Sequence, residues 1–359
     1  MGKVLLVGAY DILNCDGDVR NFIRICAENG ATGIRIFASY AWGYNSSTLF
    51  KEIRKWDGGY PDKPVLPFYD LEQKNELCWD RFRLILECLK ENKMGISIDF
   101  HCFPSISQNT PAAWAKYYYP WLSCIQRKDP DDPGAPAKIP DGFWSFHPRW
   151  RELQFNFVND IYSLVSQYQV EDTYRVMNEY NIIGWEDYPA DKRAIEWYEW
   201  FTAIMDSVGI PREKMIASNP RNPIEIMNRG LAKILSLHGY ARFKPINTLG
   251  LHPTRLILSG DGGFDGTGDA DAKGRKGLGV EDAKRLAEEM VRYEYVGYEY
   301  LSRKLYARKN DRAFLDDFNP QPLRVIAEIF GTIEPTPPEE KKQRIYNLLD
   351  EIRQLVKEL

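Results

Sequence analysis

The chain of 359 residues has 47 Lys and Arg against 51 Asp and Glu, a formal net charge of −4, so it lacks the basic excess needed to displace the counterions of a nucleic acid. Hydrophobic residues make up 44% and charged residues 27%, the balance of a globular protein and not of a disordered one. No run reaches the ~18 apolar residues of a membrane span, and none of the six cysteines forms a C-x-x-C pair, which argues against a structural zinc site.

The start, MGKVLLVGAYDIL, carries one Lys and a short apolar run without a small-residue cleavage site. It reads as a first strand and not as a signal peptide, which makes the cytoplasm the default location and leaves the cysteines reduced and packed as small hydrophobes. A helix is expected from about Asp18 to Asn29, closed by Gly30, followed by strand GIRIFASY (33–40) and helix WDRFRLILECLKEN (79–92) with Asp80 in its first turn. Strand GISIDFHCF (95–103) leads into a long irregular segment, 104–148, rich in Pro, Gly and aromatics. Helix RWRELQFNFVNDIYSLVSQY precedes a strand ending at Asn178-Glu179, and helix DKRAIEWYEWFTAIMDSVG precedes strand KMIASNP.

The second half continues with short helix PIEIMNRG, strand AKILSLHGY, strand TRLILSGDGG, helix VEDAKRLAEEMVRYE, strand YVGYEYLSR and helix NPQPLRVIAEIFG. Eight strands, most followed by a helix, predict parallel pairing and an α/β fold, a closed (β/α)8 TIM barrel over residues 1–331. A doubly wound open sheet is the rival, weakened because VGAYDILNCDGD after the first strand has no G-x-G-x-x-G phosphate turn. Residues 332–359 follow as a C-terminal helical extension. Ile345, Leu348, Leu349, Ile352, Leu355, Val356 and Leu359 form one apolar helical face there, expected to pack on the barrel or on a second copy in a homodimer.

Barrel enzymes work at the C-terminal ends of their strands, so the polar residues expected there define the candidate site. They are Arg35 on the second strand, Asp99 and His101 on the third, Asn178 and Glu179 on the fourth, and Ser218 and Asn219 on the fifth. His238 and Tyr240 follow on the sixth, Asp261 on the seventh, and Tyr298, Glu299 and Tyr300 on the eighth. Singly, a strand-end His is explained as a satisfied hydrogen bonder and Arg35 as a salt-bridge partner. So many polar groups converging on one rim are not explained by packing.

Arg35 in GIRIF, His101 in IDFHCF, Asn178-Glu179 in VMNEY and His238 with Tyr240 in LSLHGY resemble, in order and spacing, the glycoside hydrolases of clan A, barrel glycosidases that include cellulase- and mannanase-like enzymes. The resemblance implies that Glu179 is the acid/base and that Asn178 holds the sugar 2-hydroxyl. It further implies that Arg35 and Tyr240 steady the nucleophile and that His101 and His238 line the sugar subsite. A hydrolase acting on β-linked oligo- or polysaccharide follows, with carbohydrate as its partner and no cofactor or metal.

The strand-seven glutamate of that clan is absent: the sequence reads LILSGDGGFDGTGD, and the candidate nucleophile is Asp261. A carboxylate shortened by one C–C bond withdraws by about 1.5 Å. That moves the pair from the ~5–5.5 Å separation of retaining enzymes toward the ~6.5–9.5 Å of inverting ones, unless Gly260, Gly262 and Gly263 let the strand end shift. Retention is expected because Arg35 and Tyr240 are both present. Glu299 is the reserve carboxylate and otherwise a substrate-side residue, and Asp99 reads as structural.

Aromatics reach 13% of the chain, with 10 Trp and 21 Tyr, enough either to line a cleft or to fill a large core. Trp42, after the second strand, and Trp185, after the fourth, are the candidate sugar-stacking residues. Trp114, Trp121 and Trp144 in segment 104–148 belong either to a cleft wall or to a self-packed loop. Asp269-x-Asp271 followed by Gly274 faintly suggests a calcium loop, but Lys273 and Val280 stand where oxygen ligands belong, so a solvated lid is expected. Two other classes remain open: a sugar-binding barrel without catalysis, and a metal-assisted hydrolase built on His101, His238 and Asp261.

Overall fold

The computed structural model describes residues 3–9, 12–13, 17–42, 45–56, 66–102, 146–178, 191–218, 223–238, 255–259, 279–301, 318–334, 346–347, 349 and 352–353. The first part of the chain runs β1 (Val4–Gly8), α1 (Val19–Glu28), β2 (Gly33–Phe37), β3 (Ser39–Trp42), β4 (Asn45–Thr48), β5 (Phe50–Trp56), β6 (Leu66–Lys74), α2 (Glu76–Glu91) and β7 (Gly95–Cys102). It continues with α3 (Pro148–Tyr168), β8 (Asp172–Asn178), α4 (Asp191–Val208), β9 (Met215–Ser218), α5 (Pro223–Asn228) and β10 (Ile234–His238). The last elements are β11 (Arg255–Ser259), α6 (Val280–Arg292), β12 (Gly297–Leu301) and α7 (Gln321–Phe330).

Eight strands close into a barrel in the order β1, β2, β7, β8, β9, β10, β11, β12 and back to β1. Every neighbouring pair is parallel, and the closing pair runs in register from Val4 opposite Gly297 to Gly8 opposite Leu301. The expected (β/α)8 architecture is therefore the one observed, and the open sheet is not.

In the middle of β7 successive side chains take opposite faces, as the pleat requires. On β7, Phe100 packs against Phe157 of α3 and Phe201 of α4, while its neighbour Asp99 is bonded to arginines of other barrel strands. The helices bury amphipathic stripes: Val19, Phe22, Ile23 and Cys26 of α1, and Ala283, Leu286, Ala287 and Met290 of α6. Asp18 caps α1 by accepting from the backbone N–H of Arg20 and Asn21 at 2.9 and 3.2 Å. At the other end Gly30 takes φ 86°, and a Cβ there would lie 2.4 Å from the Ala327 Cβ on α7. Only glycine serves both the left-handed turn and that close approach.

Two local readings change. α2 begins at Glu76, not Trp79, because Asn75 caps it by accepting from the Cys78 N–H at 3.5 Å, which leaves Asp80 beyond the first turn. Between β2 and α2 stand two antiparallel ribbons, β3–β4 and β5–β6, where the sequence suggested a strand running on to Tyr40 and no further element before the helix. The expected segment 104–148 lies outside the described residues up to 145, as does loop 260–277. Of the C-terminal apolar face, Leu349 and Ile352 are described, and both are helical and exposed. No helix among the described residues is long and apolar enough to cross a membrane.

Candidate active site

A closed parallel barrel brings the C-terminal ends of all its strands to one rim. Here β8 ends on Asn178, β10 on His238 and β11 on Ser259. Glu179 follows Asn178 directly and Asp261 follows Ser259 by two residues. Glu179, Tyr240, Asp261 and Trp185 themselves lie outside the described residues, as do the side chains of Asn178, His238 and Trp42.

Arg35, Asp99 and Glu299 are described in full, and they meet inside the barrel. Arg35 grips Asp99 with two prongs: Nε donates to Oδ2 at 2.7 Å and Nη2 to Oδ1 at 3.2 Å. Its Nη1 donates to Oε2 of Glu299 at 2.9 Å. A second arginine that the sequence reading did not single out, Arg175 of β8, completes the cluster. Arg175 Nη2 donates to Oε1 of Glu299, its Nη1 donates to Oγ of Ser97, and the same Nη1 stands 3.7 Å from Oδ2 of Asp99. Ser236 of β10 adds a hydroxyl donor to Oε2 of Glu299 at 3.4 Å, and Thr173 donates to Ser97 at 2.8 Å.

All four charged side chains are essentially out of solvent, none more than 1% exposed. Two guanidinium groups and two carboxylates balance formally, which is how a charged cluster survives in a barrel core. Neither oxygen of Glu299 is free: Oε1 accepts from Arg175, and Oε2 from Arg35 and Ser236. A carboxylate bound this way is built for holding and is poorly placed for attack. The signal for the cluster was present in the strand sequences, each of which carries one charge amid apolar neighbours: GIRIF, ISIDF, YRVM and GYEY.

His101 is held by a different set. Its Nε2 lies 3.0 Å from Oε1 of Gln154 on α3, so Nε2 carries the hydrogen when that oxygen accepts. The ring packs edge-on to Phe201 at 5.2 Å and beside Trp197 at 6.0 Å. Burial lowers its pKa from 6.5 to about 3, against the opposing pull of the Gln154 bond. His101 is therefore neutral at ordinary pH, able to donate a hydrogen bond but not to serve as a proton reservoir. Gln154 lies on the buried stripe of α3 with Trp150, Leu153 and Phe157. A lone amide on an apolar helical face was the clue that the sequence offered.

Among the described residues no three His, Cys, Asp or Glu side chains gather as metal ligands. A cavity of about 480 Å³ opens at the opposite mouth, where Gly95, Asp172 and Ile234 begin their strands. Asp172 there is already bonded to Lys214, and the N-terminal face of such barrels serves stability while chemistry resides at the other rim. The cavity is accordingly not the candidate site.

Searched by sequence, the chain matches no protein-family model and no curated protein. Its fold has many solved relatives. The family 5 glycoside hydrolase mannosidase from Rhizomucor miehei superposes with TM-score 0.52 at 10% identity, over 92% of this chain and 93% of that one. The endo-β-1,4-mannanase from Thermotoga petrophila gives TM-score 0.53 at 10% identity, over 94% and 78%. A broad-specificity endoglucanase from an uncultured bacterium gives TM-score 0.50 at 11% identity, over 91% and 95%. At such identity the likeness is one of fold: the chain shares the (β/α)8 barrel of the family 5 glycoside hydrolases.

Proposed function

We propose that the protein is a glycosidase that hydrolyses a β-linked oligo- or polysaccharide, with Glu179 as acid/base and Asp261 as nucleophile. The observation that carries this reading is the closed parallel barrel, in which β8 and β11 end on one rim with Asn178-Glu179 and Asp261 at or just beyond their last residues. The engagement of both Glu299 oxygens supports Asp261 over Glu299 as the second carboxylate. The mannosidase, mannanase and endoglucanase among the structural neighbours make β-mannans and β-glucans the first substrates to assay.

The reaction is a double displacement. Protonated Glu179 gives its proton to the glycosidic oxygen as the C1–O bond breaks, and an Asp261 oxygen bonds to C1. Water then attacks C1, ionised Glu179 takes the water proton, and the Asp261–C1 bond breaks, which restores both carboxyl groups. Asn178 holds the 2-hydroxyl, Arg35 and Tyr240 steady Asp261, and His238 lines the subsite, with Trp42 and Trp185 stacking on sugar rings. His101, expected beside the sugar, is instead buried against α3 and α4 and supports the end of β7.

Proton NMR of the first-formed product tests the mechanism. Retention of the β-anomer, together with loss of turnover in Asp261→Ala, agrees with it. Initial α-anomer would make the enzyme inverting. Binding of the polysaccharide without turnover would make the protein a sugar-binding barrel.

A further inference from the structure

β8 and β12 stand opposite each other in the barrel, with β9, β10 and β11 between them on one side and β7, β2 and β1 on the other. The Arg175–Glu299 ion pair therefore spans the full bore. Arg175 lies three residues before Asn178 on the same strand; with Thr173 it bonds β8 to Ser97 of β7, and it alone of the two reaches Glu299. On the far side Glu299 also holds Arg35 of β2. One carboxylate thus ties the strand that delivers Asn178-Glu179 to the strand that carries Arg35.

Packing alone does not require charge at these positions. Apolar side chains of similar volume commonly fill a barrel core, and replacing a buried ion pair by such residues is often neutral or stabilising. An ion pair differs in being directional, because two guanidinium groups on one carboxylate fix relative strand positions in a way that apolar contact does not.

We propose that Arg175 and Glu299 are positioning residues, a cross-barrel strut whose charges set the pose of the β8 end relative to Arg35. The proposal rests on the glycosidase reading and deepens it. It adds two residues that touch no substrate and act through Asn178-Glu179 and Arg35. Since a misplacement of about 1 Å costs on the order of 100-fold in rate, the strut should show in kcat much more than in KM.

The test compares Glu299→Gln with the double variant Arg175→Met/Glu299→Leu, measuring Tm, kcat and KM on the substrate that the wild-type enzyme turns over. Glu299→Gln is expected to lower both Tm and kcat. The double variant is expected to recover Tm to near wild-type while kcat stays roughly 10- to 100-fold down and KM moves less than about threefold. Should Glu299→Gln fail to fold, the double variant decides alone. Wild-type kcat in a double variant of restored Tm overturns the strut, and so does a double variant whose kcat falls only in proportion to lost folded protein. Glu179→Gln, run in parallel, separates the two claims. If it is inactive while the double variant is fully active, only the strut fails; if it is as active as wild-type, or if wild-type enzyme hydrolyses none of the glycosides tested, the glycosidase reading fails and takes the strut with it.

Discussion

Replacing His101 by Phe should flatten the acid side of the stability curve. His101 has a pKa of about 3 in the fold against 6.5 when free, so between those values the unfolded chain binds one proton more than the folded chain. Its contribution is complete above about pH 6.5, declines as the pH falls, and declines no further below about pH 3, where both states carry the proton. From about pH 7.5 to 5.5 this single ring accounts for about 1.4 kcal/mol of lost stability. The Phe ring keeps the contact with Phe201 and Trp197 but removes the titration and leaves Oε1 of Gln154 without its 3.0 Å partner. That loss costs about 1–3 kcal/mol at every pH. Urea unfolding followed by tryptophan fluorescence at both pH values separates the two effects: the variant should be less stable than wild-type at about pH 7.5, yet lose about 1.4 kcal/mol less than wild-type on acidification to about pH 5.5. An equal pH dependence in the two proteins would refute the buried, neutral His101.

Asp99→Asn removes the charge that Arg35 grips at 2.7 and 3.2 Å and leaves two buried guanidinium groups sharing one carboxylate, at a cost of about 3–5 kcal/mol. With an unfolding entropy of about 2.1 cal/mol/K per residue over 359 residues, differential scanning calorimetry should show Tm falling by roughly 4–7 °C. Glu91→Gln, which breaks a solvent-screened pair with Arg20 at 3.0 Å, should leave Tm within the scatter of the measurement. Gly33→Ala places a Cβ 2.7 Å from the Gly95 carbonyl oxygen and 3.0 Å from Leu6 Cδ2, and the overpacking should cost about 1–3 kcal/mol in a urea titration.

The barrel was legible in the sequence because most repeats pair an apolar strand with a stripe-patterned helix, and that alternation admits few topologies. The ribbons β3–β4 and β5–β6 were not read. Their segments NSST and FKEIRKW are polar and lack a period-2 apolar pattern in sequence, so they resemble a connection until their partners are known. Arg35, Asp99 and His101 were singled out by residue type and place, and the structure pairs Arg35 with Asp99 and His101 with Gln154. Arg175 was passed over because, two residues from Met177 in YRVMN, it looked like part of the run leading to Asn178. What the sequence could not supply was its partner: Arg175 and Glu299 are 124 residues apart and meet only because the barrel closes. Gln154 escaped for the same reason, since its meaning depends on His101, 53 residues upstream.

The central claim is that Glu179 is the acid/base, and the rate of Glu179→Gln on two leaving groups tests it most directly. An aryl β-glycoside with a strongly acidic phenol needs no proton to leave, whereas a β-linked oligosaccharide does. Glu179→Gln should lose roughly 100- to 10,000-fold on the oligosaccharide but form the first product from the activated aryl glycoside at a rate much closer to wild-type. Equal losses on both substrates, or near-normal hydrolysis of the oligosaccharide, would contradict it.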